Sequence, residues 1–271
     1  MIGTLLAAWV SAVLAAASVA VPAGTGAEAR ALLPDLDPLA PSALAVGAVG
    51  GEGVARRFRL SFVSAAGNVG AGPLIVRGRR TSLEEPHMTA EQVVQLDGGG
   101  TVDVADVGTF QYVADETHGH WHLLRFMTYE LRRAQGFKLV APDQKTGFCL
   151  GDRYDIDPAA ALPGEPPERV YTSNCGPLET GLLEVEEGIS VGWGDVYEAW
   201  RDAQYLDVTG LPAGRYVLVH RVNQGRPLRE SVYSNNASSV LISLAWPRGT
   251  AHKPKVRPLR VCPDSARCPA P

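Results

Sequence analysis

Short apolar runs that alternate in and out, each closed by Gly, Pro, Asn or Asp, constrain this chain more than any other feature of it. In residues 57–62, Phe58, Leu60 and Phe62 alternate with Arg57, Arg59 and Ser61, the two-residue period of a half-buried strand. The turn Gly67-Asn68-Val69-Gly70-Ala71-Gly72 ends that run, and Pro73-Leu74-Ile75-Val76 opens the next. Residues 92–96 are followed by Asp97 and three glycines, and residues 101–104 and 109–113 continue the meander. Residues 122–131 again read as a strand, although their Leu, Met and Phe content also suits a helix. Further on, Leu211-Pro212-Ala213-Gly214 turns into residues 215–223, where Tyr216, Leu218, His220 and Val222 share one face, and residues 238–244 form the last strand. Strands this short and this regularly broken predict an all-β fold, an antiparallel β-sandwich-like single domain with long loops.

The first residues are of another kind. Residues 5–21 are apolar or small and uncharged, and the chain then passes through Pro22, Gly24 and Gly26 to Ala27-Glu28-Ala29, the A-x-A pattern of a signal-peptidase site. Residues 1–29 are expected to be an export signal cleaved after Ala29, which makes the protein secreted or extracytoplasmic with no membrane span after cleavage. No Lys or Arg precedes Arg30, so the usual basic start of a leader is missing; the alternative is an uncleaved N-terminal anchor, for which the run is short. Past the leader, residues 30–53 are expected to form an irregular arm, 54–246 the β domain and 247–271 a C-terminal tail. In that tail Lys253, Lys255, Arg257 and Arg260 read as a solvated basic extension. With 25 Lys and Arg against 29 Asp and Glu, the charge balance points to no nucleic acid partner.

All four cysteines, Cys149, Cys175, Cys262 and Cys268, lie beyond the leader. An even count in an exported chain favours disulfides, and three pairings are open. The shortest loops join Cys149 to Cys175 and Cys262 to Cys268. A four-cysteine zinc site is disfavoured because no C-x2-C pair is present.

Three of the six histidines lie in Asp115-Glu116-Thr117-His118-Gly119-His120-Trp121-His122. On a strand, His118, His120 and His122 project to one face, and neutral imidazoles suit Cu, Zn, Fe or Ni. A flat strand would separate the outer two by roughly 13 to 14 Å at about 3.4 Å per residue, far beyond the reach of metal–nitrogen bonds near 2.0 to 2.1 Å. The segment is therefore expected to curl or bulge, with Gly119 suited to allow it. Trp121 would face the other way, into the core. With no Cys or Met beside them, these imidazoles do not make a blue-copper electron-transfer centre. They leave coordination positions open, so a zinc-dependent hydrolase using Glu116 or Glu130 as base is a rival on chemistry alone. A His-rich surface loop that binds nothing is the plainest alternative. His87, His220 and His252 read as core or surface histidines, with one of them kept open as a remote ligand.

Further motifs stand in register with this segment. His118-x-His120-x-His122, with Phe126 and Tyr129-Glu130-Leu131 after it, resembles the copper-binding segment of lysyl oxidases. Lys145-Thr146-Gly147-Phe148-Cys149-Leu150-Gly151-Asp152 resembles the stretch that carries the family's cofactor lysine four residues before a Cys. Asp195-Val196-Tyr197 and Asp202-Ala203-Gln204-Tyr205-Leu206-Asp207-Val208 are similar to the segment of the cofactor tyrosine, and residues 212–218 and 230–236 to the closing strands. The resemblance covers about residues 107–244, with every motif in order. It departs at Thr117, where the family has a Cys before the first His, in the smaller number of cysteines, and in the lack of the animal enzymes' propeptide or scavenger-receptor domains. The departures bear on partners and matrix substrates, not on the ligands or the cofactor pair. The Ala-, Gly- and Arg-rich composition suits a bacterial exported protein.

The resemblance implies a copper cofactor and a lysine tyrosylquinone made from Lys145 and Tyr197. It implies a reaction in which a primary amine, free or in a lysine-containing protein, reacts with molecular oxygen and water to give an aldehyde, ammonia and hydrogen peroxide. A carboxylate must remove the proton from the carbon beside the amine. Asp152, Asp195 and Asp202, each adjoining one of these motifs, are the candidates, although Asp is also a common turn residue. Read singly, Lys145 is a solvated loop lysine and Tyr197 a packed aromatic. An exported copper-binding or copper-storing protein without turnover, and a matrix-associated β module, are the other readings.

Overall fold

A computed structural model describes residues 29–51, 55–114, 119–173, 175–201 and 203–269. Among them there is no helix, and every strand pairing is antiparallel. The strands form three sheets of seven, five and six members, so the all-β expectation holds. No helix among the described residues is long and apolar enough to cross a membrane.

The strand Arg57–Asn68 organises one sheet. Its first half lies between Ser42–Val49 and Tyr205–Asp207, and its second half between Leu36–Pro38 and Trp193–Tyr197. The alternation noted above carries Phe58, Leu60 and Phe62 into the interior, all at most 2% exposed. The seven-stranded sheet runs through Gly147–Phe148, Gly119–Leu124, Thr101–Ala114, His87–Leu96, Leu74–Arg79 and Glu184–Ile189, with Ala31–Leu32 paired to His87–Leu96. The five-stranded sheet is ordered Leu139–Pro142, Met127–Arg133, Gly214–Val222, Ala237–Ala245, Lys255–Cys262. One core joins the three sheets, with Phe62, Trp121, Tyr129, Phe148, Tyr216 and Ile242 among its buried members. A second, smaller cluster of Val217, Val219, Leu241 and Cys268 covers the other side of the five-stranded sheet.

Several local readings differ from expectation. Residues 31–49, expected to be irregular, supply three strands; their pairing is by backbone to longer strands, so little side-chain periodicity is needed. The runs at 101–104 and 109–113 are one strand, Thr101–Ala114, bulged where Ala90 and Gln92 pair with Gly108 and Val104. Asp106 takes a positive φ of 57° in that bulge. The single strand read at 122–131 is two, Gly119–Leu124 and Met127–Arg133. The chain breaks at Arg125, φ 60°, and changes sheet. In the tail, Lys255–Cys262 pairs with Ala237–Ala245, so the basic run is part of a sheet. Both expected disulfides, Cys149–Cys175 and Cys262–Cys268, are present.

Candidate metal centre and lysine–tyrosine pair

The strand Gly119–Leu124 presents His120 and His122 on one face, with their Nε2 atoms 2.7 Å apart and the rings 4.6 Å between centroids. Two nitrogens on one metal at bonds near 2.0 to 2.1 Å stand roughly 3 Å apart, so only a small spreading would seat an ion between them. An imidazole-only pair with this convergence fits a borderline cation such as copper or zinc. His118 and Glu116 lie outside the described residues. The ladder from Ala114↔Gly119 to Phe110↔Leu123 is unbroken, so His120 and His122 stand on a regular strand; the curl expected at Gly119 falls between His118 and His120, a stretch that begins outside the described residues. A Cβ on Gly119 would come within 2.7 Å of the Tyr112 hydroxyl, so a side chain there would require the Tyr112 ring to shift. Trp121 points the opposite way, fully buried, with its Nε1–H donated to the Glu179 carbonyl at 3.0 Å.

Glu130 is ion-paired with Arg132 at 2.7 Å and Arg221 at 3.3 Å. Its pKa is lowered: those contacts outweigh burial, the largest single influence, which acts upward. It is a poor base for a hydrolase. His220 is a core histidine, pushed down to about 4 by burial, with Nδ1 3.0 Å from the Leu39 carbonyl oxygen. His87 and His252 are exposed. The other grouping of potential ligands among the described residues, Cys149, Cys175 and Glu187, has both sulfurs in a disulfide, which leaves no thiolate to bind a metal.

The edge of the histidine strand carries the lysine. Gly147–Phe148 pairs with Leu124 and Leu123, and Arg125 N–H bonds to the Thr146 carbonyl at 2.8 Å. Gly147 packs against His122: a Cβ there would lie 2.7 Å from the His122 Cβ and 2.9 Å from its Nδ1. From this segment the Lys145 Nζ reaches inward, 4.9 Å from the centre of the Tyr197 ring and 5.3 Å from that of Phe148. A cleft of about 470 Å³, lined by Arg125, Met127, Thr128, Asp143 and Thr146 among others, opens onto Lys145.

Tyr197 arrives from another sheet. It ends the strand Trp193–Tyr197 and pairs with Ser64, so residues far to the N-terminal side position it. It is 4% exposed and meets the Phe148 ring edge-on at 5.1 Å. Its hydroxyl donates to the Cys149 carbonyl at 2.8 Å. The disulfide closes the loop: Cys149 is bonded to Cys175, whose carbonyl accepts the Trp121 N–H at 2.8 Å. The histidine strand, the lysine segment and the tyrosine are thus held by one short set of covalent and hydrogen bonds. Burial first, and the nearby Asp195 second, push the Tyr197 phenol well above its ordinary value.

Three charged groups surround that ring, Asp195 and Glu187 buried and Arg153 half-buried, and only Asp195 among them was singled out in the sequence. Asp195 shares the Tyr197 face of its strand, two residues away, and is fully buried. Burial pushes it up to about 7, against the Arg153 guanidinium, whose Nε lies 2.6 Å from Oδ1. Neither Asp195 oxygen receives a well-aligned hydrogen bond among the described residues. Arg153 also donates to the Cys149 carbonyl at 3.1 Å and lies over Tyr197. Glu187 accepts Leu150 N–H at 2.8 Å and is raised well above the carboxylate range by burial. Asp152 behaves differently. Its oxygens accept from Val170 N–H, Tyr171 N–H, Ser190 N–H and Ser190 Oγ–H at 2.8 to 3.0 Å, so its lone pairs are used in holding loops together. Asp202 lies outside the described residues. Arg153 and Glu187 left no local signal, since they meet Asp195 only through the sheet packing.

Residues 100–249 match the family described as lysyl oxidase. The chain is 34% identical over 131 residues to "Lysyl oxidase homolog 3B" of Danio rerio, covering 48% of this chain and 14% of that protein. It is 31% identical over 131 residues to "Lysyl oxidase homolog 3" of Homo sapiens, covering 48% of the chain and 15% of the relative. It is 32% identical over 130 residues to "Lysyl oxidase homolog 2" of Gallus gallus, covering 48% and 15%. The chain therefore matches about one seventh of the length of these curated relatives.

Proposed function

Because this chain belongs to the lysyl oxidase family, we propose that it is a secreted copper-dependent amine oxidase that builds lysine tyrosylquinone from its own Lys145 and Tyr197. The observation that carries the proposal is the approach of the Lys145 Nζ to within 4.9 Å of the Tyr197 ring centre, on a segment whose strand Gly147–Phe148 pairs directly with the strand of the converging histidines. His118, His120 and His122 would hold the copper. Bound copper would assist the oxidation of the tyrosine by molecular oxygen, and the resulting quinone would supply the electron sink for a primary amine, oxygen and water to give an aldehyde, ammonia and hydrogen peroxide.

The remaining work falls to side chains of the chain. Phe148, edge-on to Tyr197, and the Cys149 carbonyl orient the ring that must meet the lysine. The buried surroundings exclude water from it. Of the three aspartates considered as base, Asp195 suits the role best. It faces Tyr197 from two residues away with Arg153 as its ion-pair partner, and burial brings it to about 7, where an acid can both take and release a proton at its Oδ atoms. Asp152, with four donors on it, is assigned to structure. The cleft at Lys145 is the entry for the amine, a small amine or a peptidyl lysine. Export is supported by the two disulfides and by the composition of residues 1–29, and residues 54–246 are taken as the catalytic domain.

The test is turnover with matched variants. Copper-loaded protein should release hydrogen peroxide from simple primary amines and react with a carbonyl reagent. Tyr197→Phe and Lys145→Met should fold, keep the histidine ligands and lose both signals. Metal-dependent activity that survives both substitutions and yields no peroxide would support the hydrolase instead, and copper binding without peroxide from the wild type would support a storage protein.

A further inference from the structure

Charge is unevenly divided along this chain. Residues 247–271 hold six Lys and Arg against one Asp, a formal +5, while the first 246 residues carry −9. The structure places much of that excess on one surface. In the pairing of Lys255–Cys262 with Ala237–Ala245, Lys255, Arg257 and Arg260 stand opposite Ala245, Ser243 and Leu241, because Leu259 is bulged out of the ladder. Residues directly paired in an antiparallel ladder project to the same side. Without the bulge, Arg260 would point to the opposite side from Arg257; with it, all three cations share a face. Leu241 belongs to the outer cluster with Val217 and Cys268, which identifies that face as the one turned away from the main core.

Arg215 joins the row. It pairs with Ser243, which in turn pairs with Arg257, so the two guanidinium-bearing positions flank a small residue across about 10 Å, two strand spacings. Lys255 and Arg257 are about 7 Å apart along the strand. All four are exposed, and none has an ion pair among the described residues. The cations nearer the other edge are committed: Arg132 and Arg221 bind Glu130. Sheet edges are commonly blunted by charge, Pro or a bulge, which accounts for Pro258 and for charge on the last strand. It does not account for alignment with Arg215, two strands further in.

We propose that this face is a docking surface for an acidic polysaccharide, a linear chain of sulfate or carboxylate groups laid along Lys255, Arg257 and Arg260 with Arg215 beside them. A linear polyanion matches an evenly spaced, open row of cations, and the −9 on the rest of the chain repels it from other approaches. The row lacks the stacking platform that single-stranded nucleic acids use; Phe137, on the same side, already carries the guanidinium groups of Arg132 and Arg267 at 4.8 and 4.5 Å. The proposal is independent of the oxidase reading, apart from the extracytoplasmic setting in which such polymers are met.

The experiment compares retention of the full chain on immobilised sulfated dextran with retention on uncharged dextran, over a salt series. The wild type should be held at low salt and released as salt rises. Lys255→Ser/Arg257→Ser/Arg260→Ser should weaken binding by about tenfold or more, a loss expected when three surface ion pairs are removed together. Arg56→Ser/Arg169→Ser/Arg229→Ser, which removes equal charge from exposed sites elsewhere, should change it little. Equal losses in the two variants, or no loss in the first, would overturn the proposal. So would displacement by duplex DNA or polyglutamate at lower charge concentration than by soluble sulfated dextran. Should the triple variant not fold, Arg257→Gln alone should still bind about twofold or more weaker, and unchanged retention would again overturn it.

Discussion

Replacing Asp195 with Asn removes a single ionisable proton from the most deeply buried charged group beside Tyr197, and its effect on stability follows from the structure. In the folded protein this carboxyl is raised from the ordinary 3.8 to about 7, chiefly by burial. Between those values the native state binds more protons than the unfolded chain, so the stability that Asp195 contributes is full below pH 4 and is lost as pH rises through 7. Three pKa units at 1.36 kcal/mol each give about 4 kcal/mol. Denaturant unfolding of wild type and Asp195→Asn across pH 4 to 9 should therefore show the wild type losing about 4 kcal/mol relative to the variant, most of it between pH 4 and 7. The difference between the two proteins is the readout, since Glu187 also titrates in burial. A difference that stays flat with pH would refute the account of Asp195 as a carboxyl poised near neutrality. In turnover, the same variant should lose a factor of about 10² to 10⁴ in kcat, the usual contribution of a positioned base.

Other substitutions separate the parts of the site. Gly147→Ala puts a methyl group into the His122 ring and should weaken copper binding by about tenfold or more, as displacement of a ligand's support does; copper content after dialysis at wild-type level would contradict this. Cys149→Ser/Cys175→Ser opens a loop with a separation of 26 residues and should cost about 3.5 kcal/mol, read by denaturant unfolding, with loss of carbonyl-reagent labelling at denaturant concentrations below the main transition. Asp152→Asn should lose about 2 kcal/mol or more of stability, because its four donors no longer meet an acceptor for each, while labelling per folded molecule is retained; selective loss of kcat without loss of stability would return Asp152 to the list of bases.

The sequence made legible those features that depend on neighbours along the chain. Tyr216, Leu218, His220 and Val222 do share the core face of their strand, Trp121 does turn away from the histidines, and the shortest-loop pairing of cysteines is the one formed. Features that depend on partners far away were hidden. The strands in residues 31–49 are specified by the backbones of His87–Leu96 and Arg57–Asn68 more than by their own pattern, and the break at Arg125 carries no Gly or Pro to announce it. The tail read as solvated because its charges dominate its composition, although its backbone completes a sheet. At the site, the histidine motif and the Lys145 segment are local, whereas the Asp195, Arg153 and Glu187 group is assembled from separate strands and loops. Asp195 could be named as one of three candidates, but its burial could not be read from alternation alone.

The covalent state of Lys145 and Tyr197 is the centre of the account, and peptide mapping by mass spectrometry of copper-loaded protein reads it directly. The account predicts one joined peptide containing both residues, an intact mass changed accordingly, and the loss of that peptide in Tyr197→Phe, in Lys145→Met and in wild type kept free of copper and oxygen. Recovery of the two residues in separate, unmodified peptides from fully copper-loaded, oxygen-exposed protein would contradict it.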